Sequence, residues 1–180
     1  MYFIAVLCPE ELNQKLLQYK LWMKQQFGCV VAMKSPAHIT IIPPFWMCDK
    51  NANELLQTFL SFYSDVNEIE ITLKGFSHFG KRVLYVNVVK NTVLEELQQQ
   101  AEDYFVRSVT NQIKKDVRPF HPHVTIATRD IAPSSFFCAW DIFSIKQFEE
   151  NFLTQKISLL KLSQGKWNVI AEQNWSDYKD

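Results

Sequence analysis

Two short segments of this chain carry the same pair of chemically useful side chains: His38-Ile39-Thr40-Ile41 and, 85 positions later, His123-Val124-Thr125-Ile126. Each sets an imidazole and a hydroxyl two residues apart in an apolar run. With four His and eight Thr in 180 residues, a Thr two places after a given His arises by chance about one time in twenty. Two such hits among four His is about a one-in-a-hundred accident. A proline comes shortly before each motif, Pro36 before the first and Pro122 before the second. Imidazole takes and gives a proton near neutral pH, so the pattern suits a reaction needing two proton-transfer groups that face each other.

The elements that must position these residues are legible around them. Polar residues alternate with β-branched ones in both motifs, which predicts strands. Side chains two apart on a strand share a face, so His38 with Thr40, and His123 with Thr125, stand on one side while Ile39, Ile41, Val124 and Ile126 enter a core. Before the first motif, Tyr2 to Leu7 reads as a strand and Pro9 to Phe27 as a helix with Leu12, Leu16, Tyr19, Met23 and Phe27 on one face, closed at Gly28. Pro43-Pro44 is expected to end the motif strand, and Asn53 to Tyr63 reads as a helix. Glu68 to Lys74 and Val83 to Val89 read as paired strands separated by a segment with Gly75 and Gly80.

A similar order then repeats. Val93, Leu97, Ala101, Phe105 and Val109 make a long amphipathic helix, with Thr92 and Glu95 spaced as a capping box. The second motif strand follows, then a helix from Pro133 to Phe143 with an extension to Phe152, then strands Lys156 to Leu162 and Trp167 to Ala171 around Gly165. Ile71-Thr72-Leu73 is echoed by Ile157-Ser158-Leu159. The expected fold is therefore α+β and duplicated: a single domain of two pseudo-symmetric lobes, each an antiparallel sheet with two helices packed outside, with approximate halves 1–90 and 91–180 and strands open to exchange between lobes. A two-fold between the lobes would bring His38 and His123 to opposite walls of one central cleft.

Composition narrows the partners. A chain with 47% hydrophobic and 14% aromatic residues has ample material for its own core. Lys plus Arg (19) balance Asp plus Glu (19), so no global field draws it to a DNA duplex or an anionic membrane, and phosphate recognition must be local. Cys8, Cys29, Cys48 and Cys138 show no CxxC spacing, which favours free thiols in a reducing compartment. The apolar N-terminal stretch is short and runs into Pro9-Glu10-Glu11, so it reads as a strand rather than a leader, and the expectation is a cytoplasmic monomer.

With both motifs, the acidic start of the first helix after Phe3-Ile4-Ala5-Val6, and Pro122 on the page, the chain resembles the 2H phosphoesterase superfamily, which includes RNA 2′,5′-ligases and 2′,3′-cyclic phosphodiesterases. The resemblance implies that His38 and His123 are the catalytic pair and that Thr40 and Thr125 hold the phosphate. It implies a nucleotide or RNA end as substrate and neither cofactor nor metal. One His takes a proton from the attacking water, the other gives one to the departing ribose oxygen, and the two hydroxyls donate to non-bridging phosphoryl oxygens. The same machinery run backwards joins RNA ends. Two features depart from the ligase-like pattern: Thr128 stands where an arginine is expected, with Arg129 one later, and the first motif continues Ile42-Pro43-Pro44-Phe45. An even offset of six from His123 keeps Arg129 on the His123 face if the strand is regular.

Other residues have two readings each. Phe45, Trp46 and Phe120 flank the motifs, where an aromatic could stack on a base or simply pack in the core. His121 is a bystander or an outer substrate contact, since Pro122 invites a bend between it and His123. His78 is expected in a loop, and Lys34, Lys81, Arg82 and Arg118 suit a cleft rim or plain solvation. A zinc site from His38, His121 and His123 lacks a Cys or acidic ligand at a recognisable spacing. Besides the metal-independent phosphoesterase, two rivals stand: a non-catalytic nucleotide or RNA-end binding module on the same fold, and a metal hydrolase.

Overall fold

Burial follows the alternation of the two motifs. Ile39, Ile41, Val124 and Ile126 are almost wholly inaccessible, whereas the His and Thr between them are half-buried. A computed structural model describes residues 1–109 and 112–177. Its strands are β1 (Tyr2–Leu7), β2 (His38–Phe45), β3 (Ile69–Phe79), β4 (Val83–Val88), β5 (His123–Thr128), β6 (Glu149–Thr154), β7 (Lys156–Ser163) and β8 (Lys166–Asn174). Its α-helices are α1 (Glu10–Phe27), α2 (Ala52–Leu60), α3 (Thr92–Ser108) and α4 (Pro133–Phe143). None of the described helices is long and apolar enough to cross a membrane.

Several elements depart from expectation for local reasons. Strand β2 runs through Pro43 and Pro44 to Phe45, because a bulge there passes both prolines: Ile4 pairs with Ile42 and Tyr2 with Phe45, leaving the proline positions outside the ladder. Strand β3 continues past Lys74 because Gly75 adopts φ 65, a left-handed conformation suited to glycine, and its N–H donates to the Phe148 carbonyl at 2.8 Å. The segment after α4 is strand β6 rather than more helix. It is a polar edge paired with β3 from Ile69 to Lys74, and its Glu149-Glu150-Asn151 start hides the strand alternation. The cap of α3 is Asn91 rather than a Thr92–Glu95 box: Asn91 Oδ1 accepts the Leu94 N–H at 3.0 Å, and its Nδ2 donates to the Glu70 carbonyl at 2.8 Å.

The strands form one antiparallel sheet in the order β6-β3-β4-β5-β2-β1-β7-β8. Outward from the β5–β2 junction the order is β4-β3-β6 on one side and β1-β7-β8 on the other. The position of β4 thus answers to β1 and that of β6 to β8. The sequence matching of β4 with β8 does not hold; that of β3 with β7 does, and the Ile71/Ile157 echo falls on these equivalent strands. Helix α1 meets the β3 and α4 side through Tyr19 and Trp22 against Phe76 and Phe143. Helix α3 meets α2 through Phe105 against Phe59, and Gln173 on β8 donates to the Phe59 carbonyl at 2.6 Å. Each four-stranded half therefore draws strands and helices from both halves of the chain.

Candidate active site

The two motif strands meet at one point. Ile39 on β2 lies opposite Val124 on β5, the single registered pair between them among the described residues. Both side chains are fully buried, so the residues on either side emerge on the opposite face. Counting outward along an antiparallel pair sets His38 across from Thr125 and Thr40 across from His123. The four polar side chains form a quartet with the imidazoles on one diagonal and the hydroxyls on the other.

The rings are held alike. His38 Nδ1–H donates to the Pro36 carbonyl at 2.8 Å, and His123 Nδ1–H donates to the His121 carbonyl at 2.7 Å. A carbonyl oxygen only accepts, so the hydrogen sits on Nδ1 and each Nε2 is left to do chemistry. A proline lies in each of these short approaches: Pro36 is itself the acceptor for His38, and Pro122 stands between His123 and its acceptor His121. Desolvation lowers both pKa values, taking His38 from 6.5 to about 4, against the upward pull of the carbonyl bond. The charges of Lys20 and His123 push His38 down further, and His121 does the same to His123. Both rings are therefore neutral at pH 7.

The walls differ on the two sides. Phe3 lies 4.8 Å from the His38 ring, with Trp167 edge-on to Phe3 at 4.6 Å. Around His123 stand Tyr85 and Phe79, each with its ring centroid 5.0 Å away, and the Tyr85 hydroxyl hydrogen-bonds His121 Nε2 at 3.2 Å. Strand pairing sets Tyr85 opposite Thr125 and Asn87 opposite His123, where the other half has Ala5 opposite Thr40 and Leu7 opposite His38. The His123 side is the more polar. Tyr85, Phe79, Asn87, Phe3 and Trp167 escape the sequence reading because their proximity depends on which strands pair. The usable signal is Leu84-Tyr85-Val86-Asn87, whose alternation puts Tyr85 and Asn87 on one face.

The remaining candidates are placed as follows. Phe45 is 5% exposed and stacks on Tyr2 with centroids 6.2 Å apart, so it packs the core and cannot receive a base. Phe120 also packs against the core, while Trp46 is 71% exposed. His121 joins the site through its contacts with Phe79 and Tyr85. His78 is on β3 rather than in a loop, packed on Trp140 and Phe136. Strand β5 stops at Thr128 and Arg129 turns to φ 67, so the even-offset count does not carry through to Arg129, whose N–H donates to the Arg82 carbonyl at 3.0 Å. Next to it, Asp130 Oδ2 accepts the N–H groups of Val30 and Val31 at 2.6 and 2.7 Å, tying the exit of β5 to the approach to β2. Lys81 covers the Phe137 ring at 4.6 Å and Arg118 pairs with Asp116 at 2.6 Å. The four cysteines are free. Among the described residues no three His, Cys, Asp or Glu side chains are placed to hold a metal ion.

A sequence profile of the 2′-5′ RNA ligase superfamily matches residues 9–166, a span that takes in both motifs. The chain belongs to the 2′-5′ RNA ligase superfamily. A Bacillus pumilus protein named "Putative phosphoesterase" is 24% identical over 137 residues, covering 74% of this chain and 76% of that one. Among solved structures, E. coli LigT complexed with 3′-AMP is 16% identical with a TM-score of 0.70, covering 98% of both chains. A Thermus thermophilus protein, also 16% identical, gives a TM-score of 0.66 over 98% of both chains. These likenesses establish that the α+β architecture of this superfamily member is the one found in LigT.

Proposed function

We propose that this protein is a 2H-type phosphoesterase that hydrolyses, or reversibly forms, 2′,3′-cyclic or 2′,5′-linked phosphodiesters of nucleotides or RNA ends. The observation that carries this reading is the quartet, two imidazoles and two hydroxyls on one face of paired strands, with each ring bonded through Nδ1 to the backbone carbonyl two residues before it. Membership in the superfamily supports it. So do the complexes of LigT with 3′-AMP, ATP and NADP+, which make a nucleotide the natural class of ligand.

The reading assigns roles as follows. One neutral Nε2 takes a proton from water as its oxygen attacks phosphorus. The opposite ring, protonated, gives its proton to the ribose oxygen as the P–O bond breaks. Thr40 and Thr125 hydroxyls donate to the non-bridging oxygens, where charge is redistributed in the transition state. The lowered pKa values fit this sequence: both rings are neutral at pH 7, and the phosphate anion of a substrate would stabilise the imidazolium that one of them must become. These steps need only the chain's own residues, and free thiols suit the cytoplasm.

The test is hydrolysis of 2′,3′-cyclic nucleotides and 2′,5′-linked dinucleotides in the presence of a chelator. Turnover that persists in chelator is expected. Turnover abolished by chelator would favour a metal hydrolase, and nucleotide binding without any turnover would favour a binding module.

A further inference from the structure

Beside the His38 wall lies a cavity of about 240 Å³ whose lining includes Lys20, Lys34, Lys166, Trp167, Asn13 and Asn168. No acidic residue lines it among the described residues. In a chain whose positive and negative residues are equal in number, three lysines around one cavity with no carboxylate is an unusual concentration. The contrast with other lysines is direct. Lys15, Lys74, Lys115 and Lys161 each bond an acidic side chain, while none of the three cavity lysines has an acidic partner among the described residues.

Lys20 is the most telling of the three. It lies on α1 with 3% of its surface exposed, and its one hydrogen bond among the described residues is to the Ser35 carbonyl at 3.1 Å. An ammonium has three donors, so two are left without a protein acceptor in a place where an unpaired charge is costly. Burial lowers its pKa to about 8, the direction expected of a lysine lacking an anion. The cavity adjoins the quartet by two routes. Pro36, whose carbonyl orients His38, is part of its lining, and Trp167 reaches His38 through Phe3. Asn13 and Asn168 add neutral amides, and Trp167 adds an apolar face.

Building on the proposed phosphoesterase reading, we infer that this cavity is an anion subsite that takes a second phosphate of the substrate while the reacting phosphate sits among His38, Thr40, His123 and Thr125. Substrates would then be nucleotides or oligonucleotides bearing at least one further phosphate. That phosphate can be terminal, on the 5′ position, or internal, between two nucleosides. Lys34 and Lys166 are exposed and meet it from the rim, while Lys20 meets it from beneath.

Binding by the full chain tests this apart from turnover. Calorimetry would compare 3′-AMP, adenosine 3′,5′-bisphosphate, and a dinucleotide with a 3′-phosphate and free 5′-hydroxyl, in wild type and in K34Q/K166Q. Either of the latter two ligands is expected to bind wild type about tenfold more tightly than 3′-AMP, the scale of one good charge-assisted contact. A gain with the bisphosphate identifies the terminal phosphate, and a gain with the dinucleotide the internal one. In K34Q/K166Q the ratio should fall, the part of the gain that remains being held by Lys20. Equal affinities in wild type, or a gain untouched by K34Q/K166Q, would overturn the subsite and leave the nucleotide reading standing. Failure of all three to bind would overturn both.

Discussion

His38 and His123 are chemically alike but sit between unlike walls, one apolar with Phe3 and Leu7, the other polar with Tyr85, Asn87 and His121. Desolvation is the leading cause of the lowered pKa in both, and its effect on His38 sets a stability signature. The unfolded His38 takes a proton near pH 6.5, whereas the folded ring resists until about 4. Between those values the unfolded chain binds more protons, so the folded state loses stability as pH falls through this window. The full effect corresponds to about 3 kcal/mol. His38→Ala is expected to lose less Tm than wild type between pH 7 and pH 4; an unchanged pH dependence would contradict the lowered pKa.

The threonines make a separate residue-scale prediction. Thr40→Val and Thr125→Val keep shape and remove a hydroxyl, so each should cut kcat by about 10- to 1000-fold with little change in Tm, in line with the removal of one transition-state donor. Thr→Ser should keep most of the activity; a serine variant as poor as valine would argue that the methyl group, not the hydroxyl, matters. These four residues are readable from spacing alone because alternation fixes which face a side chain takes. Phe45 is not, since an aromatic beside a motif looks the same whether it turns to the quartet or, as it does, onto Tyr2.

At the scale of elements, the site depends on how β2 and β5 are entered and left. Asp130, beyond the end of β5, accepts two backbone N–H groups from the segment leading to β2, across 100 residues of chain. Asp130→Ala orphans both donors and should cost about 1–3 kcal/mol, a Tm drop of several degrees by thermal denaturation. Asp130→Asn, which keeps an acceptor, should lose less; equal loss in both would place the effect elsewhere. Most element types are legible from periodicity, including α1, α3 and both motif strands. β6 is not, because a polar edge strand has only one face to bury and its acidic start reads like a solvated helix. Strand β2 outruns its prolines because the bulge against β1 removes the need for their N–H groups.

At the scale of the molecule, sequence order and spatial order diverge. The repeat is visible as a repeat, but matching the halves in sequence misses that β4 takes the place of β1 and that each half of the sheet is built from both ends of the chain. Long-range pairing carries no local signal, so the residues around the quartet, including Tyr85 and Trp167, emerge only with the strand order. One consequence is that residues 1–90 cannot complete either half of the sheet. Expressed alone, that fragment should show no dispersed NMR spectrum, and co-expression with 91–180 should restore the fold. A stably folded 1–90 fragment would contradict the interleaving.

The central claim is that His38 and His123 act together on one phosphate, and single-turnover rates of His38→Ala, His123→Ala and the double variant on a 2′,3′-cyclic nucleotide in chelator test it most directly. Each single variant should lose about 100- to 10,000-fold, and the double should be little worse than the poorer single, because partners in one proton-transfer cycle are not additive. A single variant that turns over at the wild-type rate, or losses that multiply in the double, would contradict the account.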